Sequence, residues 1–135
     1  MALFNWNSAF ATDIAVIDDQ HKKLIAFVNE LHDAMRQRKA KEVIERLLGE
    51  LAEYTVYHFS TEERAFDKYA YAGAAAHKRT HADFVAKVQD LIAKHKSGQL
   101  MLSIDLLEFL VSWVSNHILK DDRLYIPLLK DKVVD

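Results

Sequence analysis

Apolar positions recur at intervals of three and four along most of the chain, and each such run predicts one buried helix face. The first run starts at Asp18 or Asp19 and passes through His21, Leu24, Ile25, Val28, Leu31, His32 and Met35. Arg36, Arg38 and Lys39 follow near its end, where the helix dipole favours positive charge. The second run is Val43, Ile44, Leu47, Leu48, Leu51, Thr55, His58, Glu62, Ala65, Phe66 and Tyr69. After Gly73 the third reads His77, His81, Phe84, Val88, Leu91, Ile92 and His95, with Gly98 as its predicted stop. Ser103 offers an N-cap to the fourth, which carries Leu106, Leu107, Leu110, Trp113, Val114 and His117. A short last helix is expected from about Asp122 to Leu129, with Pro127 in its first turns, where a missing N–H is tolerated.

Residues 1–17 differ. Phe4, Trp6, Phe10, Ile14, Val16 and Ile17 show no sustained helical period, which predicts an extended arm ordered against the body. Four amphipathic helices with short connections predict an all-α, antiparallel up-down-up-down four-helix bundle. The expected organisation is one domain over 1–135, with the arm at 1–17, the bundle at 18–121 and a short helix and tail at 122–135.

Composition narrows the chemistry. Lys+Arg at 18 against Asp+Glu at 20 gives a net charge of -2, without the basic excess that nucleic-acid binding requires. Cys is absent, so disulfides, thiolate zinc sites, iron–sulfur clusters and Cys nucleophiles are excluded. With 3 Gly and 1 Pro there are too few turn formers for a sandwich or a phosphate-binding glycine loop. Residues 1–10 lack the basic start and unbroken apolar stretch of a leader, and no segment is apolar enough to span a membrane. A cytoplasmic protein is therefore expected.

The unusual count is 7 His, and their placement is more telling than their number. His21, His58, His77, His81, His117 and Glu62 interrupt apolar faces where Leu would be expected, and Asp122 follows in the next turn. His58/Glu62 and His77/His81 are four apart, so each pair leaves one side of its helix. In an alternating bundle the start of helix one, the later half of helix two, the start of helix three and the end of helix four share one level. Seven donors thus converge. Burying them unpartnered would cost several kcal/mol, roughly, in unsatisfied polar groups, and a metal centre removes that cost. His32 and His95 lie roughly 16 and 21 Å further up the bundle at 1.5 Å per residue and are expected to be structural.

Imidazole-rich donors with two carboxylates and no thiolate suit iron, manganese or zinc, and seven are too many for one zinc ion. With two six-coordinate ions, five histidines, two bridging carboxylates and a bridging oxide or hydroxide leave one position open, enough for a small ligand. The low carboxylate content favours holding oxygen reversibly over splitting it. Without metal, neutral imidazoles facing two carboxylates predict a less stable protein, the more so in acid.

The stretches Asp18-Asp19-Gln20-His21, His58-Phe59-x-x-Glu62-Glu63, His77-x-x-x-His81-x-x-Phe84 and Trp113-x-x-x-His117-Ile118-x-x-x-Asp122-x-x-Tyr125 together resemble the hemerythrin family in its single-domain bacterial form. The resemblance covers nearly the whole chain, including the Trp6 arm. It implies a non-haem di-iron centre (Fe2+/Fe3+, oxo- or hydroxo-bridged) with one iron on His77, His81 and His117 and the other on His21 and His58. Glu62 and Asp122 would bridge them, and O2 would bind at the two-histidine iron. Leu24, Phe59, Trp113, Val114 and Ile118 match positions that line the family's oxygen pocket. Tyr71-Ala72 departs from the Tyr-Pro that many relatives carry there, which touches only a loop. The implied role is reversible O2 transport or storage by a monomer. An oxygen or redox sensor, and an enzyme reducing peroxide or nitric oxide, use the same open position and remain alternatives.

Overall fold

The computed structural model describes residues 3–99 and 102–135; residues 1–2 of the expected arm and 100–101 of the expected bundle lie outside the described residues. Four long helices form: α1 (Ala15–Arg36), α2 (Lys41–Lys68), α3 (Ala74–Lys96) and α4 (Ile104–Asn116). A short α5 (Ile126–Leu129) follows, and no strand occurs among the described residues. Helix α1 packs on α2 and α4, and α2 packs on α3. The Phe84 and Trp113 rings, stacked at 3.8 Å, join α3 to α4. Lys41 at the start of α2 reaches the Lys96 carbonyl at the end of α3, and Lys78 at the start of α3 reaches Asp67 at the end of α2. These ties fix the antiparallel sense. No described helix is long and apolar enough to cross a membrane.

The helix ends are set locally. The Ser103 hydroxyl accepts from the Leu106 N–H, as an N-cap should. Gly98, at φ 80, ends α3 in the left-handed region that glycine tolerates best. Between α2 and α3 the Tyr71 ring lies over Gly73, where a Cβ would come within 2.8 Å of it. That close approach explains the glycine better than φ does.

Two expected boundaries move. Helix α1 begins at Ala15, not Asp18, so Val16 and Ile17 belong to the helix and the arm is shorter than 1–17. The reason is Asp18, which does not cap the helix but turns back to the arm. Its carboxylate accepts from the Thr12 N–H and hydroxyl, both at 2.8 Å, and from the Asp13 N–H at 3.2 Å. The remaining arm lies along α1, and Asn29 exchanges two hydrogen bonds with the Phe4 backbone. It is not extended throughout, since Ser8–Phe10 makes a 3-10 turn.

The second correction is at the other end. Regular helix stops at Asn116; His117–Asp121 winds as a π-helical turn and Asp122–Tyr125 as a 3-10 turn before α5. The last α-helix is thus much shorter than 122–129, although Pro127 does sit in its first turn.

The core has two parts. A large apolar cluster runs from Leu24, Phe59, Phe84 and Ile118 up the bundle. A smaller one joins Ile14, Ile17, Ala65, Phe66, Tyr125, Leu129 and Val134. Along α1, α2 and the C-terminal turns, the polar intruders fall between residues of the two clusters. The polar level is a layer capped by apolar side chains on both sides, not an open end.

Leu48, 1% exposed in the large cluster, tests this separation. Leu48→Ala should cost about 2–5 kcal/mol of stability in denaturant unfolding. Metal content should stay unchanged, because the cavity opens away from the polar layer.

Candidate metal centre

Each helix delivers its donors by its own geometry. His21 lies two turns into α1, His58 and Glu62 one turn apart in α2, and His77 and His81 one turn apart at the start of α3. The fourth element needs a distortion. In a regular α-helix, residues five apart are rotated by about 140° and cannot face one point. The π turn at His117–Asp121 reduces that rotation and brings His117 and Asp122 to one side.

The seven expected ligands meet. His21, His58, His77, His81, His117, Glu62 and Asp122 are all buried, both carboxylates completely. They form two groups with ligand atoms within 4.8 Å of one another: Glu62, His77, His81, His117 and Asp122, and His21, His58, Glu62 and Asp122. Both carboxylates belong to both groups. Asp122 turns Oδ1 to His77 and His117 (3.1 and 3.2 Å) and Oδ2 to His21 (3.2 Å). Glu62 places Oε1 at 3.4 Å from His58 and 3.3 Å from His81, while its Oε2 accepts from the Tyr125 hydroxyl at 2.5 Å. His32 and His95 join neither group; His95 faces Glu45 far from the layer.

The donor set fits cations. His81 and His117 turn Nδ1 to carboxylates, Glu63 and Asp121, each at 2.9 Å. His58 turns Nδ1 to the Gln20 amide oxygen at 2.7 Å. With the proton on Nδ1, Nε2 is left as a bare lone pair aimed into the layer. His77 and His81 Nε2 lie 3.2 and 3.0 Å from His117 Nε2. Metal–nitrogen bonds of about 2.1 Å set at right angles space their donors about 3.0 Å apart. Glu62 Oε1, both Asp122 oxygens and both His21 nitrogens are buried without a hydrogen bond among the described residues. Converging lone pairs and orphaned oxygens are what a pair of cations would satisfy.

Flat rings hold these imidazoles in place. Phe59 stacks on His81 at 3.7 Å, and Trp113 stacks on His117 at 4.7 Å. Beside them lies a cavity of ≈ 20 Å³, room for about one water-sized molecule. All five residues expected to line a ligand pocket, Leu24, Phe59, Trp113, Val114 and Ile118, border it, together with His21, His58 and His117. Sequence reasoning gave no role to Gln20, Glu63, Asp121 and Tyr125. Two of them had a signal in the doubled acids Glu62-Glu63 and Asp121-Asp122, where one member faces inward and the other reaches a histidine from outside.

Without metal, protons redistribute over the cluster. Burial and the facing Asp122 push Glu62 up to about 8. Burial raises Asp122 as well, but the facing imidazoles of His117, His21 and His77 outweigh it and hold Asp122 well below its usual range. Burial lowers His58 well below 6.5, helped by His21, and lowers His81 to about 4 despite Glu63. His117 departs from the expectation that every imidazole stays neutral. Burial lowers it too, yet the adjacent Asp122 carboxylate, with Glu62 and Asp121, raises it to about 9.

The expected acid lability is joined by a loss of stability on the alkaline side. Stability from Glu62 and His117 is full below 4.5 and 6.5 respectively and is lost as pH rises through about 8 and 9. Stability from His58 and His81 is full above 6.5 and is lost as pH falls, for His81 through about 4. Metal-free protein should thus melt highest near pH 6.5 and lower on both sides, as followed by circular dichroism. A melting temperature that climbs steadily to pH 9 would refute this distribution of protons.

Comparison with known proteins agrees with the geometry. Residues 12–129 match the family model described as the hemerythrin HHE cation binding domain. The chain is 40% identical over 130 residues to a bacteriohemerythrin of Methylococcus capsulatus, covering 96% of this chain and 98% of that one. A bacteriohemerythrin of Pseudomonas aeruginosa is 34% identical, over 96% of this chain and 84% of its own. A crystal structure of wild-type hemerythrin superposes with a TM-score of 0.91 at 38% identity, covering 96% and 99% of the two chains. The sequence match, the shared bundle and the layer of inward-facing histidines and carboxylates lead to one conclusion: the chain belongs to the hemerythrin family.

Proposed function

We propose that the chain, acting as a single hemerythrin-like domain, binds O2 reversibly at a non-haem di-iron pair and serves as a carrier or store. The observation that carries this reading is the junction of the donor layer with a cavity of ≈ 20 Å³ bordered by His21, His58 and His117. His77, His81 and His117 would hold one ion and His21 and His58 the other, with Glu62 and Asp122 shared between them. When bound, such an iron pair supplies the two electrons that O2 takes up and returns.

The chain's own residues shape that exchange. Leu24, Phe59 and Ile118 are buried and, with Trp113 and Val114, give the cavity a largely apolar wall that disfavours water. Tyr125 holds one oxygen of Glu62 and thereby fixes the carboxylate's orientation. Among the described residues, Thr55 brings the one hydroxyl that borders the cavity, and it is committed to the Leu51 carbonyl at 2.8 Å. Among the described residues no carboxyl group borders the cavity, which favours holding O2 over breaking its O–O bond.

Cycles of oxygenation and argon purging on the reduced, iron-loaded protein test the proposal. An absorption band that appears with O2 and vanishes on purging, over several cycles, is expected. Consumption of peroxide or nitric oxide in large excess over the iron pairs would contradict it. Glu62→Ala and Asp122→Ala should each abolish the paired-metal spectrum, since each removes a group shared by both halves. His95→Ala should leave the spectrum intact, and equal damage from it would refute the assignment of the layer.

A further inference from the structure

The two halves of the layer differ in what stands behind their histidines. On the three-histidine side, His81 Nδ1 meets the Glu63 carboxylate and His117 Nδ1 meets the Asp121 carboxylate, both at 2.9 Å. On the two-histidine side, His58 Nδ1 meets only a neutral amide, Gln20 Oε1, at 2.7 Å. The Gln20 orientation is fixed, because its Nε2 donates to Thr61 Oγ1 and that hydroxyl donates in turn to the Tyr57 carbonyl. His21 Nδ1 is buried with no hydrogen-bond partner among the described residues. A carboxylate behind an imidazole fixes the tautomer and makes Nε2 a stronger donor, whereas a neutral amide fixes the tautomer and strengthens Nε2 less.

We propose that Glu63, Asp121 and Gln20 are positioning residues that rank the two metal positions, so that the three-histidine half fills first and empties last. This rests on the two-metal reading above and adds an order to it. Three imidazoles against two already favour the same half; the carboxylates widen the gap and the amide preserves it. Glu63 and Asp121 also stand nearer to solvent than the ligands, with side chains 32% and 43% exposed, so a substitution there leaves the buried layer packed.

Cobalt(II) titration of metal-free protein at fixed pH, with a competing chelator, tests the ranking without calling on oxygen chemistry. The parent chain should take up two Co2+ in two resolved steps. Glu63→Gln and Asp121→Asn keep a hydrogen-bond acceptor and remove the charge; each should weaken the first step by about 10–100-fold and leave the second nearly unchanged. Gln20→Glu should tighten the second step and bring the two together. Should either neutral variant fail to fold, Gln20→Glu decides alone, since a gain in affinity is not a product of structural damage. Equal shifts in both steps, or no change in any variant, would overturn the ranking. Binding of a single Co2+ would overturn the two-metal reading itself, whereas two ordered steps without reversible oxygenation would overturn only the oxygen role.

Discussion

Five imidazoles and two carboxylates occupy a layer of the bundle that Leu, Ile and Phe fill above and below it. Taking such groups out of water is costly unless each lone pair finds a proton or a cation. Here His58, His81 and His117 turn Nδ1 outward to Gln20, Glu63 and Asp121, so their Nε2 atoms face into the layer as donors a cation would take. That orientation turns a polar defect into a cation site. The aromatic rings of Phe59 and Trp113 lie flat against His81 and His117, leaving these imidazoles little room to swing towards other partners.

The rest of the fold serves the same layer. Ile14, Ile17, Phe66, Tyr125 and Leu129 close it from one side and the main core closes it from the other. The arm is pinned along α1 by Asn29 and Asp18, and Arg123 reaches the Ala9 carbonyl, which ties the C-terminal turns to the arm. The tail is held on α2 through Tyr69 and the Val133 carbonyl. Segments that look peripheral in sequence thus brace the end of the bundle where the polar groups weaken it.

The bundle and its donors were legible because both follow the helical period. A histidine in place of Leu at a spacing of three or four announces an inward polar group, and the alternation of helix direction sets its level. Two features were not legible for physical reasons. Asp18 has the composition of a helix cap, yet its carboxylate serves residues before it, so α1 starts earlier than its acid suggests. The π turn at His117–Asp121 leaves no mark on periodicity, although a spacing of five between two inward ligands already conflicts with a straight α-helix. Gln20 and Tyr125 look like ordinary members of buried faces, and only distances reveal what they hold.

A layer built for two cations must show itself in the metal content of the protein. Native mass spectrometry, with elemental analysis, of protein made in iron-replete cells should show two irons on each folded chain. A single metal per chain, or zinc alone under those conditions, would show that the layer does not hold a pair of irons.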